Sequence, residues 1–505
     1  MLLTGGIPVL AFPAANLEFL AWVGLVPGLA LMRSAPTRRE AFVRGWWYGA
    51  GYLLAAMYWL APNLGPALLL VAIVIGLLWS LVGLAVWSLL RAPVTAGRAA
   101  AAFVVVPSCW LVTEWIRSWQ GLGGPWAVLG TSQWQHPAVL ALAAVGGVWL
   151  ITFALVASNT GLLIALVAGR PLLRLAGLAG ALAAALAGPV AFALTAPVPA
   201  SEPVAMALVQ PGLTSSPAAR LERNEQLTAA QAGRAGLFVW GESSVGYSLA
   251  AYPHLLTSIE RLSAKTGAEV LVDQDAVNAA GAQSKQAVLI SRTGIRGRYV
   301  KTRLVPFGEY IPFRSALGWL TKISRAAPTN VVPGHGARVL TATLAGGRRL
   351  TIGVLICFES AFPDMSRVDA DHGARVIIYQ TSDTTFQDSW EPAQHAALAA
   401  LRAAETGRPV VQAALTGDSA AFDPRGRMLA WAGTGFRGVL IVHLELPPAG
   451  YRTPFDRIGD VVPWTAVAIA VTAALAGLGQ GILRRRRGQR TEAHAEILSG
   501  TPLSG

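Results

Sequence analysis

Residues 352–359 have the sequence Ile-Gly-Val-Leu-Ile-Cys-Phe-Glu, in which a nucleophilic side chain follows an apolar run. Such a run predicts a buried strand. Open α/β sheets keep their reactive groups at the C-terminal ends of strands, and Cys357 stands at such an end. Free cysteines are also among the most often buried residues, so an inert core cysteine is the alternative. With only Cys109 as a second cysteine, neither a disulfide framework nor a zinc site is predicted.

Two charged residues follow other predicted strands. Glu242 comes after the run 237–241, and Lys301 comes after the run 297–300. A cysteine nucleophile needs a base to accept its proton and a cation to balance the negative charge that develops. At three strand ends of one sheet, Glu242, Lys301 and Cys357 would supply one group for each role. Taken singly, the glutamate and the lysine are more often capping or solvated side chains.

The region around these residues alternates between two patterns. Short β-rich runs, most of them bounded by Gly, Pro or Asp, occur at 204–209, 236–240, 269–272, 287–291, 350–357 and 374–380. Helical stretches occur at 221–233, 252–266 and 390–406. Strands that are apolar throughout suit the middle of a sheet covered on both faces, so the pattern predicts a layered α/β domain.

The composition of the whole chain indicates a membrane protein. Of 505 residues, 53% are hydrophobic and 13% are charged, whereas soluble proteins average about 25% charged residues. Apolar segments of roughly spanning length occur at 18–32, 41–61, 66–90, 99–117, 138–168, 175–196 and 461–483. With a short first segment at 1–14, we expect about eight helices. The predicted division is transmembrane helices over 1–196, an α/β domain over 197–460, a last span over 461–483 and a basic tail over 484–505.

The first segment has a second interpretation as a cleaved signal peptide. It contains Pro8 and Pro13 and no basic residue precedes its apolar stretch. The missing basic stretch favours a short first helix over a signal peptide.

The arginines between the spans predict the orientation. With eight spans, the arginine-bearing connections fall on one face, at Arg33, Arg38, Arg39, Arg91, Arg98, Arg170, Arg174 and 484–487. The positive-inside rule makes this face cytoplasmic and puts 197–460 on the opposite, extracytoplasmic side. The formal charge of +13 therefore indicates membrane orientation before nucleic-acid binding; a solvated or nucleic-acid-binding tail is the alternative for 484–487.

Three motifs carry a resemblance to a known family. They are WGES at 240–243, YVKTRLVPFGEYIP at 299–312 and ICFE at 356–359. In order and spacing they resemble the Glu, Lys and Cys motifs of the nitrilase superfamily, and the chain looks like its membrane-embedded branch, the apolipoprotein N-acyltransferases. Further matching residues are TEWIR at 113–117, GPW at 124–126, QH at 394–395, Arg402, Ala403, Glu405 and GRP at 407–409. The resemblance implies an αββα sandwich for the extracytoplasmic domain.

The resemblance also implies roles and substrates. Cys357 would be the nucleophile, Glu242 the general base and Lys301 the stabiliser of the oxyanion, with Glu309 and Glu359 supporting them. For Glu309 a loop carboxylate is the alternative. The implied ping-pong reaction moves a fatty acyl group from a membrane phospholipid, through a cysteine thioester, to the N-terminal amine of S-diacylglyceryl-cysteine in apolipoproteins. It needs no metal or cofactor and takes place at the bacterial cytoplasmic membrane.

Other residues carry weaker expectations. Where many family members have Asn-Asp-Ala-Trp-Phe, this chain has Ser-Asp-Thr-Thr-Phe at 382–386, so Thr385 replaces a tryptophan. We expect His395 to make a structural hydrogen bond, and Trp126 and Trp134 to be anchors at the membrane interface. The apolar run 317–320 is a candidate lid or an ordinary buried turn.

Two other functions remain open. A membrane-tethered amidase would resolve the thioester with water and would need no lipid access. A transporter or scaffold would use the domain only for binding, and Glu114 with Arg117 is the conspicuous ionisable pair within the predicted spans. Their place near a helix end favours a structural salt bridge, and the intact Glu242, Lys301 and Cys357 argue against a scaffold.

Overall fold

The computed structural model describes residues 1–277, 281–322, 327 and 329–479, without the side chain of Leu320. The predicted basic tail at 484–505 lies outside these residues. The domain boundaries named above stay predictions.

The N-terminal part of the chain is helical. Five helices in the described ranges are long and apolar enough to cross a membrane, at Ala67–Leu90, Ala96–Arg117, Pro137–Val167, Pro171–Leu194 and Val461–Gly479. Shorter apolar helices occupy Leu2–Ala11 and Leu20–Arg33, and Arg38–Ala56 begins with three charged residues. The expected multi-span bundle is confirmed, although only five of the eight predicted segments have full spanning length and composition.

The helices before the α/β region are α1 (Leu2–Gly6), α2 (Leu20–Val23), α3 (Val26–Arg33), α4 (Arg38–Ala56), α5 (Ala61–Leu64), α6 (Ala67–Gly76), α7 (Ser80–Leu90), α8 (Ala96–Arg117), α9 (Pro137–Val167) and α10 (Pro171–Leu194).

The region after α10 contains two six-stranded sheets. The first has the order β12-β1-β2-β3-β4-β5 and the second the order β11-β10-β9-β8-β7-β6. The strands are β1 (Glu202–Gln210), β2 (Leu237–Trp240), β3 (Glu269–Val277), β4 (Gln283–Ser291), β5 (Gly294–Val300), β6 (Val339–Thr343), β7 (Arg349–Ile356), β8 (Val376–Thr381), β9 (Val410–Ala414), β10 (Ser419–Phe422), β11 (Met428–Ala432) and β12 (Gly438–Leu446). The remaining helices are α11 (Pro217–Ala229), α12 (Pro253–Thr266), α13 (Arg314–Leu317), α14 (Pro363–Asp371), α15 (Glu391–Thr406), α16 (Pro454–Ile458) and α17 (Val461–Gly479).

The central strands of each sheet are parallel and buried. In the first sheet β1, β2 and β3 run parallel, with Met206 opposite Leu237 and Phe238 opposite Val270. In the second, β7, β8 and β9 run parallel, and every residue of β8 is buried. Strands covered on both faces need apolar residues at every position, and this is why these runs were recognisable in the sequence.

The two sheets stack face to face between helical layers. Helices α11 and α12 pack on the outer face of the first sheet, and α14 and α15 on the second. This confirms the expected sandwich. It corrects the expectation of three strand ends in one sheet, because Glu242 and Lys301 follow β2 and β5 of the first sheet whereas Cys357 follows β7 of the second. Apolar runs identify strands but do not say which strands share a sheet.

Helix α15 joins the sandwich to the membrane helices. All its residues except Ala393 are buried, and it packs against α9. Glu405 on α15 accepts a hydrogen bond from the backbone N–H of Val148 on α9, at 2.8 Å. This N–H is available because α9 departs from helical geometry at Gly146 and Gly147. The attachment therefore consists of helix packing and a buried hydrogen bond.

The two sheets meet closely beside Glu242. The carbonyl oxygen of Thr381, in the second sheet, accepts hydrogen bonds from the backbone N–H groups of Glu242 (3.1 Å) and Leu415 (2.8 Å). A β-carbon on Gly241 would lie 2.1 Å from the backbone nitrogen of Leu415. Only glycine allows this approach, so Gly241 brings the end of β2 against the second sheet.

We expect Gly241→Ala to destabilise the folded protein by about 1–3 kcal/mol, because the sheets must separate to admit the methyl group. The matched control is Gly435→Ala, where a β-carbon meets nothing within 4 Å and the change should stay within about 0.5 kcal/mol. Thermal unfolding of the purified protein in one detergent measures both. Equal unfolding temperatures for the two variants would contradict the close approach.

Candidate active site

Lys301 lies between two carboxylates at the end of β5. Its Nζ is 3.0 Å from Glu242 Oε1 and 2.8 Å from Glu309 Oε1. Its side chain is only 1% exposed. A buried ammonium is tolerated when it is paired and hydrogen-bonded. The structure therefore brings together three of the five predicted site residues in one ion-paired set.

The loop after β5 presents Glu309 to Lys301. The second carboxylate oxygen of Glu309 accepts a hydrogen bond from the backbone N–H of Val305, at 2.8 Å. The turn is closed by Phe307, whose φ is +64° and whose N–H donates to the carbonyl of Tyr310 at 2.6 Å. Each carboxylate oxygen of Glu309 thus has a partner, which fixes its orientation and makes it more than a loop carboxylate.

Cys357 occupies a sharp turn between β7 and a short 3₁₀ helix, Cys357–Ala361. Its φ is +53°, in the left-handed region. Such a conformation costs about 1–3 kcal/mol for a residue other than glycine, and it occurs at sites where the side chain must be aimed. Cys357 is partly exposed while Ile356 and Phe358 on either side are buried. Cys357 therefore stays in contact with the core while part of its surface is exposed at the turn.

Glu359 holds this turn against the loop that follows Lys301 at the end of β5. One of its carboxylate oxygens accepts hydrogen bonds from the Tyr299 hydroxyl (2.7 Å) and from the backbone N–H groups of Thr302 (2.7 Å) and Arg303 (2.9 Å). The other accepts from the backbone N–H of Ile356, at 2.7 Å. Glu359 is completely buried. It therefore ties the residue before the cysteine to the residues after the lysine across the two sheets.

The charges of this site act on one another. Burial raises the pKa of Glu242, but the positive charges of Lys301 and Lys285 hold the net pKa below its ordinary value. Burial lowers the pKa of Lys301, and the charges of Glu242 and Glu309 outweigh it, so the net pKa is raised. Burial and the Glu242 charge raise the pKa of Cys357 well above its ordinary value. At neutral pH the site holds a neutral thiol beside an ionised carboxylate, the starting state for general-base catalysis.

His395 makes the structural hydrogen bond that we expected. Its Nδ1 is 2.9 Å from Asp383 Oδ1 and 3.4 Å from Glu391 Oε1. These three buried residues are close enough together to hold a metal ion. The two carboxylates outweigh the effect of burial and raise the pKa of His395 well above its usual value. The imidazole therefore pairs with these carboxylates, and through Asp383 it links α15 to the end of β8.

The two tryptophans are not interfacial anchors, which corrects that expectation. Trp126 is buried, donates from Nε1 to Gln394 Oε1 at 3.0 Å and stacks on Phe358 beside the cysteine. Trp134 is buried against Trp431 and donates to Asn16. Both lie between the membrane helices and the α/β domain. No sequence pattern indicated that interface, because loop tryptophans near spans usually lie at the bilayer surface.

The other expectations concern the rim of the site. Thr385, at the position of the family's tryptophan, is exposed, while its neighbour Phe386 packs edge-on against Trp59. In the candidate lid at 317–320, Leu317 packs on a cluster of α5 and α6 residues, as does Phe307 from the preceding loop. Trp319 is 48% exposed. This segment therefore rests on the membrane helices while presenting an aromatic side chain outward.

Two side chains near the site, Tyr299 and Lys285, were not predicted from the sequence. Tyr299 supports Glu359 through its hydroxyl, as described above. Lys285 on β4 contributes to holding the pKa of Glu242 low, and its backbone carbonyl accepts a hydrogen bond from the backbone N–H of Lys301, at 3.0 Å. Lys285 follows no strand end, so the rule that found Lys301 does not apply to it. The sequence feature that could have identified Lys285 is its position as a charged residue just before the apolar run 287–290.

Comparisons with known proteins find matches for both parts of the chain. A family model for the apolipoprotein N-acyltransferase N-terminal domain matches residues 4–161, and one for carbon-nitrogen hydrolases matches residues 205–450. An apolipoprotein N-acyltransferase from Sinorhizobium medicae is 32% identical over 85% of each chain. One from Geobacter metallireducens is 28% identical over 94% of each chain. Among solved structures, a carbon-nitrogen hydrolase from Helicobacter pylori G27 covers 48% of this chain and 89% of its own, at 15% identity and a TM-score of 0.39.

Glu359→Gln should destabilise the protein and slow any reaction of Cys357. The amide places a donor where the carboxylate accepts, so at least one buried N–H loses its partner, at a cost of about 1–3 kcal/mol. Thermal unfolding and the alkylation rate of Cys357 by iodoacetamide measure the two effects. Glu445→Gln, at an exposed position on β12, is the control and should change neither. An unaltered unfolding temperature in Glu359→Gln would show that the four hydrogen bonds do not hold the turn.

Proposed function

The chain belongs to the apolipoprotein N-acyltransferase family, and we propose that it transfers a fatty acyl group from a membrane phospholipid to the N-terminal amine of S-diacylglyceryl-cysteine in apolipoproteins. The observation that carries the proposal is the buried Lys301, paired with Glu242 and Glu309, beside a partly exposed Cys357. This set stands on a domain that is packed against membrane helices. An acyl donor in the bilayer can therefore reach the thiol without leaving the membrane surface.

In the first half-reaction the Cys357 sulfur attacks the carbonyl carbon of a phospholipid ester. Glu242 takes the thiol proton, and the carbonyl oxygen carries the negative charge, which the Lys301 ammonium stabilises. The carbon–oxygen bond to the glycerol then breaks. Glu242 returns the proton to the leaving oxygen, which gives a lysophospholipid and an acyl thioester on Cys357.

In the second half-reaction the free amine of the apolipoprotein attacks the thioester carbonyl. Glu242 takes a proton from the amine as the carbon–nitrogen bond forms, and Lys301 again stabilises the oxyanion. The carbon–sulfur bond breaks and Glu242 returns the proton to the sulfur. The products are an amide on the lipoprotein and the original thiol, so no other reactant is consumed. An amidase would instead use water in this step.

The ionisable pair in the membrane helices supports an enzyme over a transporter. Glu114 accepts hydrogen bonds from Trp110 Nε1 (3.0 Å) and from the backbone N–H of Leu129 (2.8 Å). Arg117 donates to the backbone carbonyls of Trp126 and Ala127. These side chains hold the connection after α8 in place. Both side chains are used for structure through these hydrogen bonds. The salt bridge expected from the sequence is not formed, because the described structure has no ion pair between Glu114 and Arg117.

We further infer that the α/β domain lies on the extracytoplasmic face of the bacterial cytoplasmic membrane. Arg33 Nε donates to the carbonyl of Leu90 at 2.7 Å, so the connections after α3 and α7 lie at the same end of the bundle. Arg170 and Arg174 lie at the start of α10, and the α/β domain follows its other end, roughly 36 Å away by helical rise. The positive-inside rule makes the arginine-bearing end cytoplasmic.

Incubating the purified protein with a phospholipid alone should add one fatty-acyl mass to the peptide that contains Cys357, and hydroxylamine should remove it. Mass spectrometry of the digested protein measures both. Cys357→Ala should carry no adduct, and an adduct of the same lability in that variant would contradict the assignment.

Glu242→Gln should slow adduct formation because it removes the proton acceptor while keeping the shape of the side chain. An unchanged rate in Glu242→Gln would show that Glu242 is structural.

The orientation predicts which face a membrane-impermeant maleimide reaches. In a Cys357→Ala background, Ala218→Cys on the exposed face of α11 should be labelled from outside intact spheroplasts. Gly169→Cys, in the exposed connection before α10, should be labelled only after the membrane is permeabilised. The reverse pattern would place the α/β domain in the cytoplasm, where the proposed acceptor is not presented.

A further inference from the structure

Ser243, the residue after Glu242, has a hydrogen-bond partner for each of its polar atoms. Its backbone N–H donates to Asp273 Oδ1 at 2.7 Å, and its carbonyl accepts from Arg220 Nη1 at 2.6 Å. Its hydroxyl contacts Asp275 Oδ1 at 3.1 Å and also the ammonium of Lys285. Ser243 has a φ of +55°, in the left-handed region. Residues from α11, β3 and β4 thus hold the turn that follows Glu242.

Lys285 joins this turn to the catalytic lysine. Its Nζ is 2.6 Å from Asp275 Oδ1 and contacts the Ser243 hydroxyl. Its backbone carbonyl accepts the hydrogen bond from the Lys301 N–H described above. Its side chain is 23% exposed, so the ammonium is screened less than a surface lysine would be. Lys285 therefore lies at one fixed place beside both Glu242 and Lys301.

Lys285 adds a second ammonium to the charged groups around Glu242. The groups that interact electrostatically with Glu242 are Asp273, Asp275, Lys285, Lys301, Cys357 and Asp383. Two more lie one contact away: Glu309 pairs with Lys301, and Arg220 donates to the carbonyl of Ser243. Lys301 is shared between Glu242 and Glu309. One ammonium therefore serves two carboxylates, and Asp275 adds a third acidic group near them.

We propose that Lys285 is a positioning residue for the acyl transfer, which supplies the second positive charge beside Glu242 and keeps this carboxylate ionised and oriented to accept the proton of Cys357. The inference rests on the proposed function, because it assigns Lys285 a part in the step in which Glu242 is the base. Asp275 fixes the ammonium, and the Ser243 hydroxyl carries its position to the turn that bears Glu242.

The physical reason is the burial of the base. A buried carboxylate prefers to be protonated, and a protonated Glu242 cannot accept the thiol proton. The positive charges of Lys301 and Lys285 oppose this preference, whereas the negative charge of Asp275 reinforces it. Removing the charge of Lys285 should therefore raise the pH at which Glu242 ionises. Removing the charge of Asp275 should lower that pH. Shifts of this pH in opposite directions in the two variants would indicate an electrostatic role for Lys285.

The test is the pH dependence of thioester formation on Cys357 in the full-length protein, with a phosphatidylethanolamine in nanodiscs as the donor and mass spectrometry as the readout. In Lys285→Gln the midpoint of the acid limb should move upward by about one pH unit, the lower end of the effect of one nearby opposite charge. At a pH below that midpoint the rate should fall about tenfold, and at higher pH it should recover. Lys285→Arg keeps the charge and should keep the midpoint near that of the unmodified protein.

Two further variants distinguish the loss of the Lys285 charge from structural damage to the site. Asp275→Asn should move the midpoint downward, a direction that damage to the site does not produce, and it decides the question if Lys285→Gln does not fold. Lys265→Gln removes the same charge from an exposed position on α12 and should leave the midpoint in place. A purely structural role for Lys285 would lower the rate at every pH without moving the midpoint.

The outcomes distinguish this inference from the function on which it rests. If the unmodified protein forms no thioester, the proposed function is wrong. If it forms one and the midpoint is the same in Lys285→Gln, or moves in the same direction in Lys285→Gln and Asp275→Asn, the role of Lys285 is overturned and the function stands. A midpoint that moves upward in Lys285→Gln and downward in Asp275→Asn establishes the role, and the reverse pattern overturns it.

Discussion

The buried ammonium of Lys301 is the constraint on which the rest of the site depends. Removing a single charge from water costs several kcal/mol unless partners replace the lost hydration. The structure supplies Glu242 and Glu309 at hydrogen-bond distance. Each partner must then be held in turn, Glu309 by the turn at Phe307 and Glu242 by the contacts of Ser243. A cation useful for catalysis thus dictates the conformation of two loops.

The nucleophile must reach this ion pair from the other sheet. Gly241 permits the end of β2 to approach Leu415, and Glu359 ties Ile356 to the loop after Lys301. These contacts lie where the two sheets meet, so a shift of one sheet against the other would separate the Cys357 thiol from Glu242 and Lys301. The mutual alignment of the sheets is therefore part of the active site, and the left-handed turn at Cys357 completes it.

Apolar runs found the catalytic strand ends because central parallel strands are buried on both faces. The motif resemblance then assigned Glu242, Lys301 and Cys357 their roles, which remain proposals. Hydrophobicity alone did not reveal that Cys357 belongs to a second sheet, since strand partners are set by long-range packing. The burial of Trp126 was missed for the same reason. Lys285 was missed because Ser243 is distant in the sequence, and because its pairing with Asp275 depends on the register of β3 and β4.

Helix α15 shows how the membrane attachment and the chemistry depend on one another. A helix on the outer face of a soluble sandwich has one polar side, whereas a helix that is buried all round must have neighbours on every side. Apart from Ala393 every residue of α15 is buried, because one face packs on the second sheet and another on α9. The same helix carries His395, which pairs with Asp383, and Gln394, which binds the Trp126 that stacks on Phe358. The membrane helices are therefore part of the wall behind the cysteine, and the α/β domain separated from them would lose that wall together with its access to lipid.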